Sequence, residues 1–225
     1  MSYISEPLVE QRPEITNAQN KLFYDLSKRA LDVAFAVVAL AFLFPVLVAI
    51  VVALIAHDGT PIIYRQRRIG QNGKEFTCYK FRSMANDADE RLKKLLDENP
   101  EALREWRETQ KLKSDPRIHR LGRFLRVSSL DELPQFFNVL RGDMSIVGPR
   151  PIVTSEIARY GDAYHYYAAL KPGITGLWQV SGRSSTGYDT RVKLDVAYFK
   201  SRSLILDIKI MCRTALVVLL ARGSC

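Results

Sequence analysis

Between Val33 and Ala56 the chain carries no charged residue. These 24 residues, VAFAVVALAFLFPVLVAIVVALIA, would make a straight helix about 36 Å long, enough to cross a hydrocarbon core of about 30 Å. Pro45 stands near the middle of the run. An interior proline removes a backbone donor and clashes with the preceding turn, so it kinks or breaks a helix. Each half, about 18 Å, is too short to cross alone. Lys21, Lys28 and Arg29 precede the run, and Arg65, Arg67, Arg68 and Lys74 follow it. Lys and Arg enrich cytoplasmic flanks, so both ends read as staying on one side. The expectation is a proline-broken, re-entrant helix, preferred over a single span and over a buried helix of a soluble protein. The run starts too late and is too long for a secretory signal. Residues 1–20, polar and with Pro7 and Pro13, read as a flexible tail. Residues 21–60 read as the membrane helix with its flanks, and 61–225 as a cytoplasmic, membrane-associated domain.

The remaining composition is that of a folded protein: 47% hydrophobic and 25% charged in 225 residues. Lys plus Arg exceed Asp plus Glu by 33 to 24, a net charge of +9, which calls for an anionic partner. Nucleic acid is the weakest candidate, because no basic-aromatic stripe or recognition motif accompanies the charge. An acidic membrane surface and a phosphorylated substrate stay open. Cys78, Cys212 and Cys225 are scattered, and His57, His119 and His165 form no cluster, which argues against zinc, a disulfide framework or a His/Cys metal enzyme.

Ile62–Arg68 and Glu75–Arg82 flank a Gly-Gln-Asn-Gly turn and predict a β-hairpin. Asn86 to Lys113 is charge-mixed at helical spacing around Pro100, predicting two exposed or interfacial helices, with Trp106 packed rather than dipping into lipid. Short helices are expected at Leu121–Val127 and Glu132–Leu140, a short apolar run at Met144–Val147 and a strand at Ile174–Val180. Longer helices are expected at Tyr188–Lys200 and Leu204–Leu220. The fold class is therefore α+β: a mostly helical domain with a short hairpin, anchored by the N-terminal helix.

Asp131 and Glu132 sit in RVSSLDELPQFFNVLRG. One reading is capping: Ser129 with Glu132 matches a capping box, and Pro134 suits the first turn of a helix capped by Asp131. The two registers exclude each other. The other reading is a carboxylate nucleophile beside a carboxylate that holds a hard cation. Arg120, Arg123, Arg126, Arg141, Arg150 and Arg183 bracket the pair in glycine- and proline-rich sequence, and the guanidinium fork matches phosphate oxygens. The turn Lys171–Gly176 fits neither a Walker loop nor a dinucleotide fingerprint, so its glycines read as turn geometry. Asp195, alone in a helical stretch, reads as a surface charge or ion-pair partner.

Together these stretches resemble the bacterial sugar transferases, small monotopic polyprenyl-phosphate glycosyl-1-phosphate transferases. The matching motifs are Lys28-Arg29-Ala30-Leu31-Asp32, Tyr79-Lys80-Phe81-Arg82-Ser83-Met84 and Leu130-Asp131-Glu132-Leu133-Pro134-Gln135. Asn138 through Pro151, Lys171 through Arg183 and Leu194-Asp195-Val196 continue the match in order over about residues 25–220. The resemblance implies transfer of a sugar 1-phosphate from a UDP-sugar to undecaprenyl phosphate, with release of UMP. It places the nucleophile on Asp131, forming a covalent phosphosugar intermediate, and Glu132 beside Mg²⁺, with both acids as candidate metal ligands. Lys80, Arg82, Arg126, Arg141, Arg150, Arg183 and Asp195 become candidate substrate-binding residues. Lys28, Arg29, Asp32 and Pro45 become candidate determinants of the membrane helix, at the cytoplasmic face of a bacterial inner membrane. The family's Ser-Pro helix break is Phe44-Pro45 here; a serine hydroxyl satisfies backbone groups that a phenylalanine does not. Arg222-Gly223-Ser224 and the run 105–183 look most like exopolysaccharide enzymes of the ExoY type, which tilts the donor toward UDP-galactose or UDP-glucose. A homodimer is admissible. The competing class is a non-catalytic basic adaptor on the membrane, which has no use for Asp131, Glu132 and the Gly-Pro-Arg-Pro turn together.

Overall fold

The computed structural model describes residues 18–109, 112, 115–182 and 187–219. The expected N-terminal tail up to residue 17, Arg183 and Arg222-Gly223-Ser224 lie outside them.

Helix α1 (Ala18–Asp58) runs on through Pro45 instead of stopping there. Proline removes a single N–H, and the turns on either side keep their own hydrogen bonds, so Pro45 does not end the apolar helix but lies inside it, where its ring favours a bend. Its burial is uneven. Tyr24, Lys28, Asp32 and Ala36 before the proline, and Ile50 and Leu54 after it, pack inward. Val38, Phe42, Phe44 and Val52 are exposed.

Strands β1 (Ile63–Ile69) and β2 (Glu75–Phe81) form the expected antiparallel hairpin, closed by a 3-10 turn at Gln71–Gly73. Asn72 and Gly73 take positive φ there, the conformation for which Asn-Gly is suited. Helices α2 (Ala88–Glu98) and α3 (Pro100–Thr109) form the exposed pair, and the Arg117 guanidinium covers the Trp106 ring at 4.9 Å. α4 (Arg120–Val127), a 3-10 turn at Leu130–Glu132 and α5 (Gln135–Arg141) follow. Next come β3 (Ser145–Val147), the short helices α6 (Ile157–Tyr160) and α7 (Tyr164–Ala168), β4 (Gly173–Thr175) and α8 (Leu177–Val180). α9 (Tyr188–Ser201) and α10 (Leu204–Leu219) close the described chain.

The expected strand Ile174–Val180 is shorter than the pattern suggests: β4 ends at Thr175, and Leu177–Val180 turn helical after Gly176. Its partner is also unexpected. β4 pairs in parallel with β3, making a second two-stranded sheet buried among helices. Glycine makes that crossing possible. A Cβ on Gly173 would fall 2.2 Å from the Gly148 nitrogen and 2.3 Å from the Thr175 oxygen, both rigid backbone atoms. Gly173→Ala is expected to destabilise the fold by about 3 kcal/mol, because neither neighbour can retreat; a melting temperature within a degree of the parent's would contradict this.

A single apolar core draws on α1, β2, α4, α5, β3, α8, α9 and α10. A smaller cluster of Ile69, Ile152, Tyr160 and Tyr167 joins the hairpin to α6 and α7.

Candidate active site

Asp131 and Glu132 occupy the 3-10 turn between α4 and α5. Ser129 enters it in the left-handed conformation and makes no side-chain cap, and α5 starts at Gln135 with Pro134 at the capping position, so Asp131 does not cap that helix. Both capping readings are therefore set aside, and the two carboxylates are available for other chemistry. Glu132 reaches β2, where Lys80 Nζ donates to its Oε1 at 2.6 Å. The Arg150 guanidinium, from the turn after β3, lies 3.8 Å from the same oxygen.

These three side chains line a small, open cleft together with Arg68 from β1, Cys78, Gly173 and Ile174. Three cations against one carboxylate make the wall positive. Burial, and the Arg150 charge nearby, push the Arg68 pKa down. Burial also pushes the Cys78 thiol up, so it stays protonated and chemically quiet.

Asp131, next to Glu132, is 8% exposed. Burial raises its carboxyl to about 6; Lys80 and Arg126 act against the rise, and Glu132 adds to it. Arg126 is half-buried, which lowers its pKa while Asp131 opposes that, and its Nε donates to Ser83 Oγ at 2.8 Å. The site thus pairs a desolvated, partly neutralised carboxylate with a cationic cleft that suits a diphosphate.

The other residues singled out in the sequence scatter. Arg82 turns away to the end of α1, donating to the Asp58 and Gly59 carbonyls at 3.0 and 2.9 Å and to Asn86. Arg141 is largely exposed and donates to the Tyr79 hydroxyl at 3.1 Å. Asp195 is buried on α9, accepting from Tyr160 at 2.6 Å, and burial raises its carboxyl to about 6. Lys28 and Asp32 face the protein interior rather than the outer surface. They pair at 2.7 Å, and Asp32 also accepts from the Ile146 N–H at 3.1 Å. Arg29 donates to the Val139 and Leu140 carbonyls at 2.6 and 3.0 Å, closing the end of α5.

Arg68, Glu156 and Arg191 were not singled out in the sequence as site residues, yet all three meet the Arg150 turn. In the sequence Arg68 reads only as a flanking charge. Its position on β1 opposite Lys80's strand was the available signal, since one hairpin presents both.

Two carboxylates joined in one turn, with oxygen donors alone, suit Mg²⁺, which binds through one or two carboxylates plus substrate phosphates and water. Among the described residues no group of three or more His, Cys, Asp or Glu side chains is gathered to hold a metal ion, so any Mg²⁺ here would rest on this pair with substrate phosphates and water.

Residues 23–221 match the family model for bacterial sugar transferases. The undecaprenyl-phosphate galactose phosphotransferase of Salmonella typhimurium is 51% identical over 88% of this chain and 41% of its own length. The exopolysaccharide production protein ExoY of Sinorhizobium fredii is 46% identical over 88% of each chain. The UDP-glucose:undecaprenyl-phosphate glucose-1-phosphate transferase of Xanthomonas campestris is 39% identical over 96% of this chain and 43% of its own length. The chain thus spans about two fifths of the galactose and glucose transferases and most of the exopolysaccharide production protein.

Proposed function

Because the chain belongs to the bacterial sugar transferase family, we propose that it moves a hexose 1-phosphate from a UDP-hexose to undecaprenyl phosphate, with release of UMP. The observation that carries this reading is the meeting of the Asp131–Glu132 turn with Lys80 and Arg150 on one cationic cleft. Relatives named for galactose and for glucose favour those two donors.

In this reading Lys80, Arg68 and Arg150 bind the diphosphate oxygens and offset their charge, which is most of what phosphoryl transfer asks of a protein. An ionised Asp131 oxygen attacks the phosphorus that bears the sugar. The bond from that phosphorus to the bridging oxygen breaks, and UMP leaves with the electron pair. A phosphate oxygen of the lipid then attacks the same phosphorus, the bond to Asp131 breaks, and the carboxylate is regenerated. Both nucleophiles are anionic oxygens, so neither step needs a general base. Mg²⁺, held by Glu132 with Asp131, would supply further charge neutralisation at the diphosphate.

The lipid acceptor places the reaction at a membrane surface, and α1 fits that setting. Its most apolar stretch has a mean hydropathy of 3.1 and is 11% buried. Both ends of the helix dock on the same body: Arg29 and Asp32 on α5 and β3, and Asp58 on Arg82 at 3.2 Å. A helix crossing a bilayer would put those ends on opposite faces. Their common docking supports a re-entrant helix bent at Pro45, and the Lys- and Arg-rich flanks favour the cytoplasmic face for the catalytic domain.

The test is UMP release from purified protein in nanodiscs, with Mg²⁺, undecaprenyl phosphate and a panel of UDP-sugars. UMP from UDP-galactose or UDP-glucose, abolished by chelation, is expected. UDP in place of UMP would mean ordinary glycosyl transfer and would sink the mechanism.

A further inference from the structure

The turn that presents Arg150 is gripped from two sides. Arg68, on β1, donates Nη1 to the Pro151 carbonyl at 3.1 Å. Arg191, on α9, donates Nη2 to the Arg150 carbonyl at 2.9 Å. Glu156 stands between the two guanidiniums. Its Oε1 lies 3.2 Å from Arg191 Nη1, and its Oε2 lies 3.8 Å from Arg68 Nη1. Oε2 also accepts the Val153 N–H at 2.9 Å, which fixes the carboxylate to the chain leaving the turn.

Three arginines therefore crowd one tetrapeptide, and like charges at such range repel. Arg191 is 6% exposed, and its Nε is buried without a hydrogen-bond partner. Asp195, at 3.9 Å, balances it from the far side. Among the described residues, Glu156 is the one carboxylate that touches both gripping arginines. Beyond the turn, the Ile69 N–H donates to the Ile152 carbonyl at 2.9 Å, and the Tyr167 hydroxyl donates to the Ile69 carbonyl at 2.7 Å, so the exit is sewn to β1.

We propose that Glu156 is the positioning residue for Arg150: by coupling Arg68 to Arg191 across the Gly148–Pro151 turn, it holds the Arg150 guanidinium beside Lys80 and Glu132 in the cleft. The proposal rests on the diphosphate reading of that cleft. It makes a prediction whose sign a bare charge effect would reverse. Removing a carboxylate near an anion site raises the local positive potential, so Glu156→Gln would tighten anion binding if Glu156 acted only through its field. Loss of positioning weakens it.

The experiment is calorimetric titration of the full chain in detergent with magnesium pyrophosphate, which needs no turnover. Glu156→Gln is expected to weaken binding about tenfold, and to weaken it no further in an Arg150→Ala background, the non-additivity of residues acting as a unit. Glu156→Asp, which keeps the charge, is expected to recover part of the loss. Arg191→Lys, which keeps its charge but not its fork, is a second route to the same result and is likewise expected to be silent once Arg150 is gone. Tighter binding by Glu156→Gln, or losses that add to that of Arg150→Ala, would overturn the role of Glu156. Failure of the parent protein to bind pyrophosphate would overturn the diphosphate reading itself.

Discussion

Asp131→Asn is expected to abolish turnover and, in the same protein, to raise the melting temperature. The first effect follows from the proposed chemistry. An amide oxygen is a poor nucleophile toward phosphorus, so the covalent step is lost, and turnover falls by about 10⁴-fold or more. No labelled sugar phosphate should be trapped on the variant after brief exposure to UDP-sugar. The second effect follows from burial. The Asp131 carboxyl is raised from 3.8 to about 6, so the folded state holds its proton more tightly than the unfolded chain does. Below pH 4 both states are protonated, and the group has no effect. Between about pH 4 and 6 stability is lost, and above 6 the loss is complete, at up to about 3 kcal/mol. Asparagine removes that cost, so near pH 7.5 the variant should melt several degrees higher, and at pH 4 the gain should vanish. The same titration shapes the activity of the parent. With Asp131 needed as its anion, kcat/KM should fall on the acid side with a midpoint near 6. A variant that melts lower would mean that its lost activity reports damage to the fold. Retained turnover would remove Asp131 from the mechanism.

The Asp131–Glu132 pair was legible because adjacent acids beside Pro134 and among arginines form a local pattern. Their partners were not, because they come from other elements. Lys80 reaches Glu132 only because β2 lies against the 3-10 turn, and Arg150 arrives from beyond β3. Motif membership selected Arg82 and Asp195 without regard to direction. Arg82 instead secures the end of α1, and Asp195 backs Arg191 inside the domain. Arg68, one strand from Lys80, belongs to the cleft for a reason that only strand pairing supplies.

The hairpin and the long helices followed from periodicity and the Asn-Gly turn, which act over a few residues. The parallel pairing of β3 with β4 did not, since it joins three-residue strands some 25 residues apart in the chain through backbone contact at Gly148 and Gly173. In α1 the local signal marks a position and not an end: Pro45 lies inside the helix, and helical turns continue on both sides of it.

Lys28→Met is expected to be among the most damaging single changes in the chain, although Lys28 precedes the apolar run and reads as a flanking charge. Lys28 lies 2.7 Å from Asp32 and 3.6 Å from Asp207, one cation between two carboxylates. The Tyr24 and Tyr198 hydroxyls donate to Asp207 at 3.2 and 2.7 Å, and burial still raises its carboxyl while Lys28 opposes the rise. Methionine fills the space but leaves two acids without their cation, and breaking a buried pair in this way costs about 3–5 kcal/mol. The cost must depend on pH. Without Lys28 the folded-state pKa of Asp207 climbs further above its unfolded value of about 3.9, so stability is lost as pH rises past that value and the deficit is largest near neutrality. Melting curves in detergent at pH 5 and pH 7.5 should therefore show a smaller gap between variant and parent at the lower pH. Equal gaps would mean that Lys28 acts through packing alone. The effect should not stop at α1. Asp32 accepts the Ile146 N–H, and the Tyr198 hydroxyl oxygen lies 3.2 Å from the Val147 carbonyl, so the same network fixes β3, the strand that leads into the Arg150 turn. Loosening the root of the membrane helix should thus weaken UDP-sugar binding as well as stability, while the apolar segment itself, unchanged, keeps the variant in the membrane fraction.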